Sequence, residues 1–125
     1  MFFWIFMLIV NMLIPAMMFG FGKFFRDNPP EEINYAFGYR TTRSMKNNET
    51  WLFAQKKMGK IWFEWSKYLA LFTVVSMVLM FGKSKEMIGN RSLWIMGVNL
   101  AGLLVPIYFV EKLLKENFDE NGNKK

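Results

Sequence analysis

The first 22 residues of the chain contain no charged side chain, and this run limits the possible folds more than any other feature. A helix of that length rises about 33 Å, enough to cross a hydrocarbon core of about 30 Å. Residues 92–110 form a second uncharged run, and residues 68–82 form a shorter third one. The third run reaches membrane length when its helix begins near Ile61. We therefore predict an all-α integral membrane protein with three transmembrane helices, at about residues 1–22, 61–82 and 92–110.

Charged and aromatic side chains occur together at the start of the predicted second span. Two charged residues fall in its first two turns, where long side chains extend to the lipid headgroups. Three aromatic residues lie at the same level, as is typical of a membrane interface. The predicted interface residues are Trp62, Glu64, Trp65, Lys67 and Tyr68.

The distribution of Lys and Arg predicts the orientation of the chain in the membrane. The loop of residues 23–60 carries eight basic residues and the tail of residues 111–125 carries four. The connection between the second and third spans carries three, at positions 83, 85 and 91. Because basic residues stay on the cytoplasmic side, the loop and the C-terminal tail are predicted to be cytoplasmic and the N-terminus external.

Two other interpretations of the apolar runs fit less well. A cleaved signal peptide would begin with basic residues and end at a small-residue cleavage site, and the first run has neither. A soluble helical bundle would keep a polar face on each helix. Both long runs lack charge all round, so a membrane location remains the prediction.

The predicted cytoplasmic loop contains residues that indicate helix ends and a turn. The Pro pair at 29–30 stops the first helix, since Pro lacks an N–H and disfavours helix in the residue before it. Gly38 suits a sharp turn or a close approach of two backbones. Either Asn47 or Asn48 can cap a second helix.

An apolar stripe follows this cap at helical spacing. It comprises Trp51, Ala54, Met58, Ile61, Trp62, Trp65 and Leu69. One continuous helix over residues 49–82 would be about 50 Å long and would project from the membrane. Alternatively, the helix bends near Gly59, and its first part lies as an amphipathic helix along the membrane surface. We favour the bend, because the stripe needs an apolar surface to cover it.

A sequence motif in this loop resembles that of a known family. The run N-x-x-x-G-Y-R-T-x-x-S-M-K-N occupies residues 34–47. Together with the Trp and Gly that follow it, this run is similar to the signature of the SdpI family, and the two following spans match the family's layout. The residues that carry the resemblance are Asn34, Gly38, Tyr39, Arg40, Thr41, Ser44, Trp51 and Gly59.

The resemblance implies a function as well as a fold. It implies that residues 1–125 form a single SdpI-like membrane domain in a bacterial cell membrane, in a short form with three helices. Such a protein protects its host from an SdpC-like, membrane-active peptide toxin. It would bind the toxin itself or signal through a soluble cytoplasmic regulator, since the family's namesake holds a repressor at the membrane when occupied by toxin.

Arg40 is the motif residue that we expect to bind a partner. Its guanidinium is always charged and forms paired contacts with a phosphate or a carboxylate. The partner would be a lipid headgroup, a carboxylate of another protein or Glu64 of this chain. An equally weighted alternative is that Arg40 pairs internally and the motif only folds the loop onto the helix ends. We expect Trp51 to anchor the loop in the membrane interface.

Two Asn side chains lie at membrane depth, at positions 11 and 99. Each needs a partner there, and an Asn11–Asn99 bond or a bond to Ser76 would contribute about 1 kcal/mol to helix packing. Small residues spaced four apart, at 16 and 20 and at 97 and 101, would permit close helix contacts within the chain or in a homo-oligomer. A homo-oligomeric channel or transporter subunit lined by Asn11 and Asn99 is the alternative function.

Composition argues against other classes of protein. The chain has no Cys and no His, which excludes Cys or His metal sites and the nucleophile–His pairs of hydrolases. Asp27, Glu31 and Glu32 form the only acidic cluster in a predicted loop, and its surroundings favour solvation over metal binding. We expect no enzyme activity, no cofactor and no metal. The net charge of +6 is explained by topology and by attraction to the inner leaflet, so no nucleic acid partner is expected.

Overall fold

Three α-helices make up the computed structural model, which describes residues 1–34 and 38–125. α1 spans Phe2–Asp27, α2 spans Asn48–Leu79 and α3 spans Lys85–Asn117. Across the described residues no strand forms, and the one β-like feature is an isolated bridge between Phe118 and Lys124. The predicted all-α class is confirmed.

The helix ends have local chemical causes. α1 ends at Asp27, and Asn28 leaves the helix with φ −138° and ψ 60° directly before the Pro pair. Asn47 caps α2 by accepting the Thr50 N–H, and the Thr50 hydroxyl accepts the Asn47 N–H in return. Ser84 caps α3 in the same manner as Asn47 does, with its hydroxyl accepting an N–H of the first turn. The sequence predicted the Pro stop, and Asn47 is the one of its two candidate caps that is used.

Two helices are long and apolar enough to cross a membrane, and they are α1 and α3. In their most apolar windows, 17% of the α1 residues and 22% of the α3 residues are buried. A core helix of a soluble protein would be mostly buried, so these helices present their apolar side chains outward. Among the described residues, α2 does not meet the same measure, because charged residues from Lys56 to Lys67 interrupt its first half.

α2 continues through Gly59 as one helix. Its apolar stripe is covered by the chain itself, in a cluster at the loop end of the bundle that we call the loop-end core. Its buried residues are Tyr39, Ala54, Met58, Val110, Leu114 and Phe118. The favoured bend near Gly59 is therefore not what covers the stripe. Tyr39 of the loop and the last turns of α3 supply the apolar surface that the stripe alone lacked.

The other end of the bundle has its own apolar core beside the short connection between α2 and α3. Its buried residues are Met77, Met80, Ile88 and Ile95, with Phe3, Trp4, Met7 and Leu8 packed against them. The Trp4 indole donates to the Met77 carbonyl at 2.7 Å and its ring meets Phe81 edge-on. This core joins the start of α1 to the end of α2 and the start of α3.

α1 and α2 approach each other most closely where two glycines meet. A Cβ at Gly59 would lie 2.7 Å from the Gly22 carbonyl oxygen and 2.8 Å from the Phe25 carbonyl carbon. These are backbone atoms that cannot give way, so the contact requires glycine. The small residues predicted to allow close contact are not the ones used, because a Cβ at Gly20 or Gly97 would meet nothing within 4 Å.

Replacing Gly59 with alanine should destabilise the bundle. The added methyl group forces α1 away from α2, and overpacking of this kind costs about 1–3 kcal/mol. We expect the thermal unfolding midpoint of Gly59→Ala in detergent micelles, followed by circular dichroism, to fall by several degrees. Gly20→Ala is the matched control, and its midpoint should stay at or above that of the wild type. Equal midpoints for Gly59→Ala and the wild type would contradict this packing.

Candidate functional site

The side-chain amide of Gln55 holds the backbone of Tyr39. Its Oε1 accepts the Tyr39 N–H at 2.6 Å, and its Nε2 donates to the Tyr39 carbonyl at 2.6 Å. Gln55 is fully buried in α2, and Tyr39 is 8% exposed. A buried amide and a buried irregular backbone both need hydrogen-bond partners. Here each satisfies the other, and the loop is fastened to α2.

A second set of hydrogen bonds shapes the segment that follows. The Thr41 N–H donates to the Ser44 hydroxyl at 2.8 Å, and the Ser44 N–H donates to the Thr41 hydroxyl at 3.2 Å. The Ser44 hydroxyl also lies 3.2 Å from the Tyr39 carbonyl, to which it donates. The Thr50 hydroxyl of α2 donates to the Ser44 carbonyl at 3.0 Å. Residues 38–47, which we call the motif loop, are therefore bonded internally and to the start of α2.

The Tyr39 ring carries the motif loop across to α3. Its hydroxyl donates to Oε1 of Glu111 at 2.7 Å. The other oxygen of the same carboxylate lies 3.9 Å from Nε of Arg43. Burial, reinforced by the hydrogen bond to Glu111, raises the pKa of Tyr39 far above its usual range. The hydroxyl thus stays protonated and acts as a donor.

Gly38 is the residue that lets the backbone enter this arrangement. Its φ of +113° lies in the region that side chains disfavour. A Cβ there would lie 2.8 Å from the Gln55 Oε1 and 3.3 Å from the Trp51 ring. The positive φ agrees with the sharp turn predicted for Gly38, and the atoms closest to it belong to side chains and not to a second backbone.

Trp51 lies inside the protein rather than at a membrane interface. It is fully buried in α2, and its indole N–H donates to the Pro30 carbonyl at 2.7 Å. The expectation that it anchors the loop in the interface is wrong, because the segment after α1 offers the indole both cover and an acceptor. Trp51 instead fixes the chain that leaves α1 onto α2.

Arg40 lies on the surface of the motif loop. Its side chain is exposed, whereas those of Tyr39 and Ser44 on either side are buried. The recorded ion pair of Glu64, the internal partner suggested for Arg40, is with Lys67 at 4.0 Å. In the same loop, Arg43 lies 3.9 Å from a carboxylate oxygen of Glu111. The motif thus holds its backbone in place, and Arg40 is exposed at its surface.

Two motif residues make contacts of another kind. Asn34 donates to the Glu32 carbonyl at 3.2 Å, a local bond two residues back. Gly59 serves the contact between α1 and α2. The three motif positions between Asn34 and Gly38 lie outside the described residues.

The predicted interface residues occupy one level of the bundle. The Trp62 indole donates to the Leu103 carbonyl of α3 at 3.3 Å. Trp65 meets Phe109 of α3 edge-on at 5.9 Å. Tyr68 is 70% exposed. The charged pair of the set, Glu64 and Lys67, lies on the outer side, with both residues exposed.

Asn11 and Asn99 meet in the middle of the bundle. The Asn99 side chain donates to the Asn11 carbonyl and to the Thr73 hydroxyl, each at 3.1 Å. The Asn11 side chain donates to the Ser92 hydroxyl at 3.1 Å. The predicted Asn11–Asn99 bond is thus present, with the backbone carbonyl of Asn11 as its acceptor. Ser92 and Thr73 are further partners, and these bonds do not use Ser76. Both Asn residues are buried within one chain.

Gln55 and Glu111 are the functional residues that sequence reasoning missed. Gln55 is the one uncharged amide on the buried side of the first half of α2, and a buried Gln needs hydrogen-bond partners. The position of this Gln next to Ala54 of the apolar stripe could have indicated its burial from the sequence. Glu111 follows the apolar run of α3 directly, but nothing local indicates that a Tyr 72 residues earlier contacts it.

Comparison with known proteins identifies one family. The family model described as the SdpI/YfhL protein family matches residues 31–110. This match covers well over half of the chain and includes the motif loop, all of α2 and most of α3. No curated protein and no solved structure matches the chain.

Removing the Tyr39 hydroxyl should loosen the motif loop. Tyr39→Phe keeps the ring in the loop-end core and loses the bond to Glu111, which is worth about 1–2 kcal/mol at a partly exposed carboxylate. We expect trypsin to cleave after Arg40 and Arg43 about tenfold faster, since cleavage follows the open population of the loop. Tyr68→Phe, which alters an exposed hydroxyl, should leave the cleavage rate unchanged. An unchanged rate in Tyr39→Phe would show that the bond does not hold the loop.

Proposed function

The chain belongs to the SdpI/YfhL protein family, and on that premise we propose that it is an integral membrane protein that protects a bacterial cell from a membrane-active peptide toxin. One observation carries the proposal. The motif loop is a folded unit fastened to α2 and α3, and it presents a guanidinium at its surface. A rigid loop with an exposed Arg is suited to binding a carboxylate or a phosphate.

We propose that α2 is the third span. Its last 12 residues, from Tyr68 to Leu79, carry no charge. Exposed apolar side chains there include Leu71, Val75 and Val78, which need lipid around them. A span of membrane length begins near Ile61, so the side chains of Glu64 and Lys67, in its first two turns, extend to the headgroups. The Lys67 ammonium and the Arg26 guanidinium both lie over the Phe63 ring, at 4.2 and 4.3 Å.

In the proposed orientation, the motif loop and the C-terminal tail face the cytoplasm. The support is the excess of Lys and Arg at that end of the chain. The tail closes onto the loop, since the Asn47 side chain donates to the Gly122 carbonyl at 2.7 Å. Loop and tail thus form one surface at one end of the bundle.

The proposed role is binding rather than catalysis. The hydroxyls of Thr41 and Ser44 bond to backbone groups of the loop, which makes them structural supports for Arg40. Under this proposal, the toxin or a soluble cytoplasmic regulator is the partner, and Arg40 is the contact residue. The surrounding loop keeps the guanidinium at a fixed place, which lowers the entropic cost of binding.

The orientation is tested with introduced cysteines, since the chain has none of its own. Asn48→Cys and Glu86→Cys both replace exposed residues, and neither alters the count of basic residues that sets topology. We expect a membrane-impermeant maleimide to label Glu86→Cys in intact cells and Asn48→Cys only after permeabilisation. The reverse pattern would overturn the orientation.

Immunity is tested by growth of a toxin-sensitive bacterium across a series of SdpC-like toxin concentrations. Cells that make the wild-type protein should tolerate more toxin than cells without it. Arg40→Ala should lose at least tenfold of this tolerance at equal protein level in the membrane, as removal of a charged contact implies.

Lys46→Ala is the matched control for that experiment, because it removes an exposed charge from the same loop. It should keep the tolerance of the wild type. An equal loss of tolerance in Arg40→Ala and Lys46→Ala would show that the net charge of the loop matters and that Arg40 has no specific role. No protection by the wild-type protein in the membrane would contradict the proposed function.

A further inference from the structure

An open groove lies between α2 and α3 at the end of the bundle opposite the motif loop. Its volume is about 740 Å³, within the range of sites that hold small ligands. Its walls include Phe72, Leu79 and Trp94, and two cationic residues, Lys83 and Arg91, line it as well. Leu79 is 72% exposed and Trp94 is 79% exposed, so the apolar walls are open to the surroundings.

The groove has the length of one membrane leaflet. Its lining residues on α3 run from Met87 to Val98, which corresponds to a rise of about 16 Å. Half of a hydrocarbon core is about 15 Å thick. Lys83 lies in the connection between the helices and Arg91 lies nearly two turns into α3, while Phe72 and Val98 lie farthest from the connection along the two helices. Charge at one end and apolar walls over a leaflet's depth match the form of a lipid.

The charge of the groove selects the headgroup. Lys83 and Arg91 are exposed, and in the described part of the chain neither forms an ion pair with a carboxylate. Asn90 adds a neutral hydrogen-bonding side chain beside them. The nearby acidic residue, Glu86, does not line the groove but lines an adjoining depression that shares Met87, Asn90 and Arg91 with it. A phosphate that carries a net negative charge satisfies both cations.

We propose that this groove binds one anionic phospholipid, with its phosphate at Lys83 and Arg91 and an acyl chain along Leu79 and Trp94. The inference rests on the membrane location proposed above, and it is independent of immunity and of the motif loop. The lipid occupies the gap between α2 and α3 and completes the surface of the bundle there.

Trp94 reports on the occupant, because bromine on an acyl chain quenches an adjacent indole. Purified full-length protein is placed in phosphatidylcholine vesicles that contain a minor fraction of brominated phosphatidylglycerol or of brominated phosphatidylcholine. The Trp94 signal is the difference between the wild type and Trp94→Phe. We expect the phosphatidylglycerol to associate with Trp94 about tenfold more strongly than the phosphatidylcholine.

Single substitutions assign the preference to the groove. Lys83→Gln and Arg91→Gln should each lower it by about fivefold, the factor for about 1 kcal/mol per basic residue at a lipid surface. Lys85→Gln removes an exposed charge from the same connection but not from the groove, and the preference should stay within about twofold of the wild type.

Three outcomes would overturn the inference. Equal losses in Lys85→Gln and Arg91→Gln would mean general surface attraction and no site. Quenching by both brominated lipids without preference would mean that the groove takes any lipid. Absence of quenching by either lipid would overturn the membrane location as well, which separates failure of that proposal from failure of the lipid site.

Discussion

The pair of hydrogen bonds between the Gln55 amide and the Tyr39 backbone is the constraint on which the loop end of the protein depends. An irregular segment packed against helices has buried N–H and C=O groups with no ladder to satisfy them. The Gln55 side chain supplies an acceptor for the Tyr39 N–H and a donor for the Tyr39 carbonyl. With the Tyr39 backbone fixed in this way, its ring enters the loop-end core and its hydroxyl reaches Glu111.

This arrangement links the motif loop to α2 and α3, and α2 also holds the segment that leaves α1. α2 holds the Tyr39 backbone, α3 holds its hydroxyl, and the segment that leaves α1 is held by Trp51 through Pro30. Arg40 follows Tyr39 directly in the chain. A partner that binds Arg40 would therefore act on a backbone that is fastened to α2 and α3, and not on a freely moving loop.

Much of the fold was predictable because its causes are local. Uncharged runs indicated the helices, and the Pro pair indicated the end of α1. Asn47 caps α2 with its side chain, and Gly38, which has no side chain, takes up a positive φ. The contacts between distant segments were not predictable in this way. The rotation of each helix decides that Asn11 meets Ser92 and that Gly22 meets Gly59, and spacing along the chain does not determine that rotation.

In the candidate site, too, local features were predictable and contacts between distant segments were not. Its residues were recognised as a motif, but the role of each depends on partners 16 and 72 residues away, as for Tyr39 with Gln55 and Glu111. Trp51 was assigned to a membrane interface because its cover, the segment around Pro30, has no periodic pattern that would reveal it.

Amide hydrogen exchange of Tyr39 in lipid nanodiscs is the measurement that tests this account most directly. In the wild-type protein we predict that the Tyr39 N–H is protected to a degree similar to amides within α2, because Gln55 accepts its proton in a buried site. In Gln55→Leu this protection should be lost while α2 stays protected. Exchange of the wild-type Tyr39 N–H at the rate of an unstructured peptide would contradict the account.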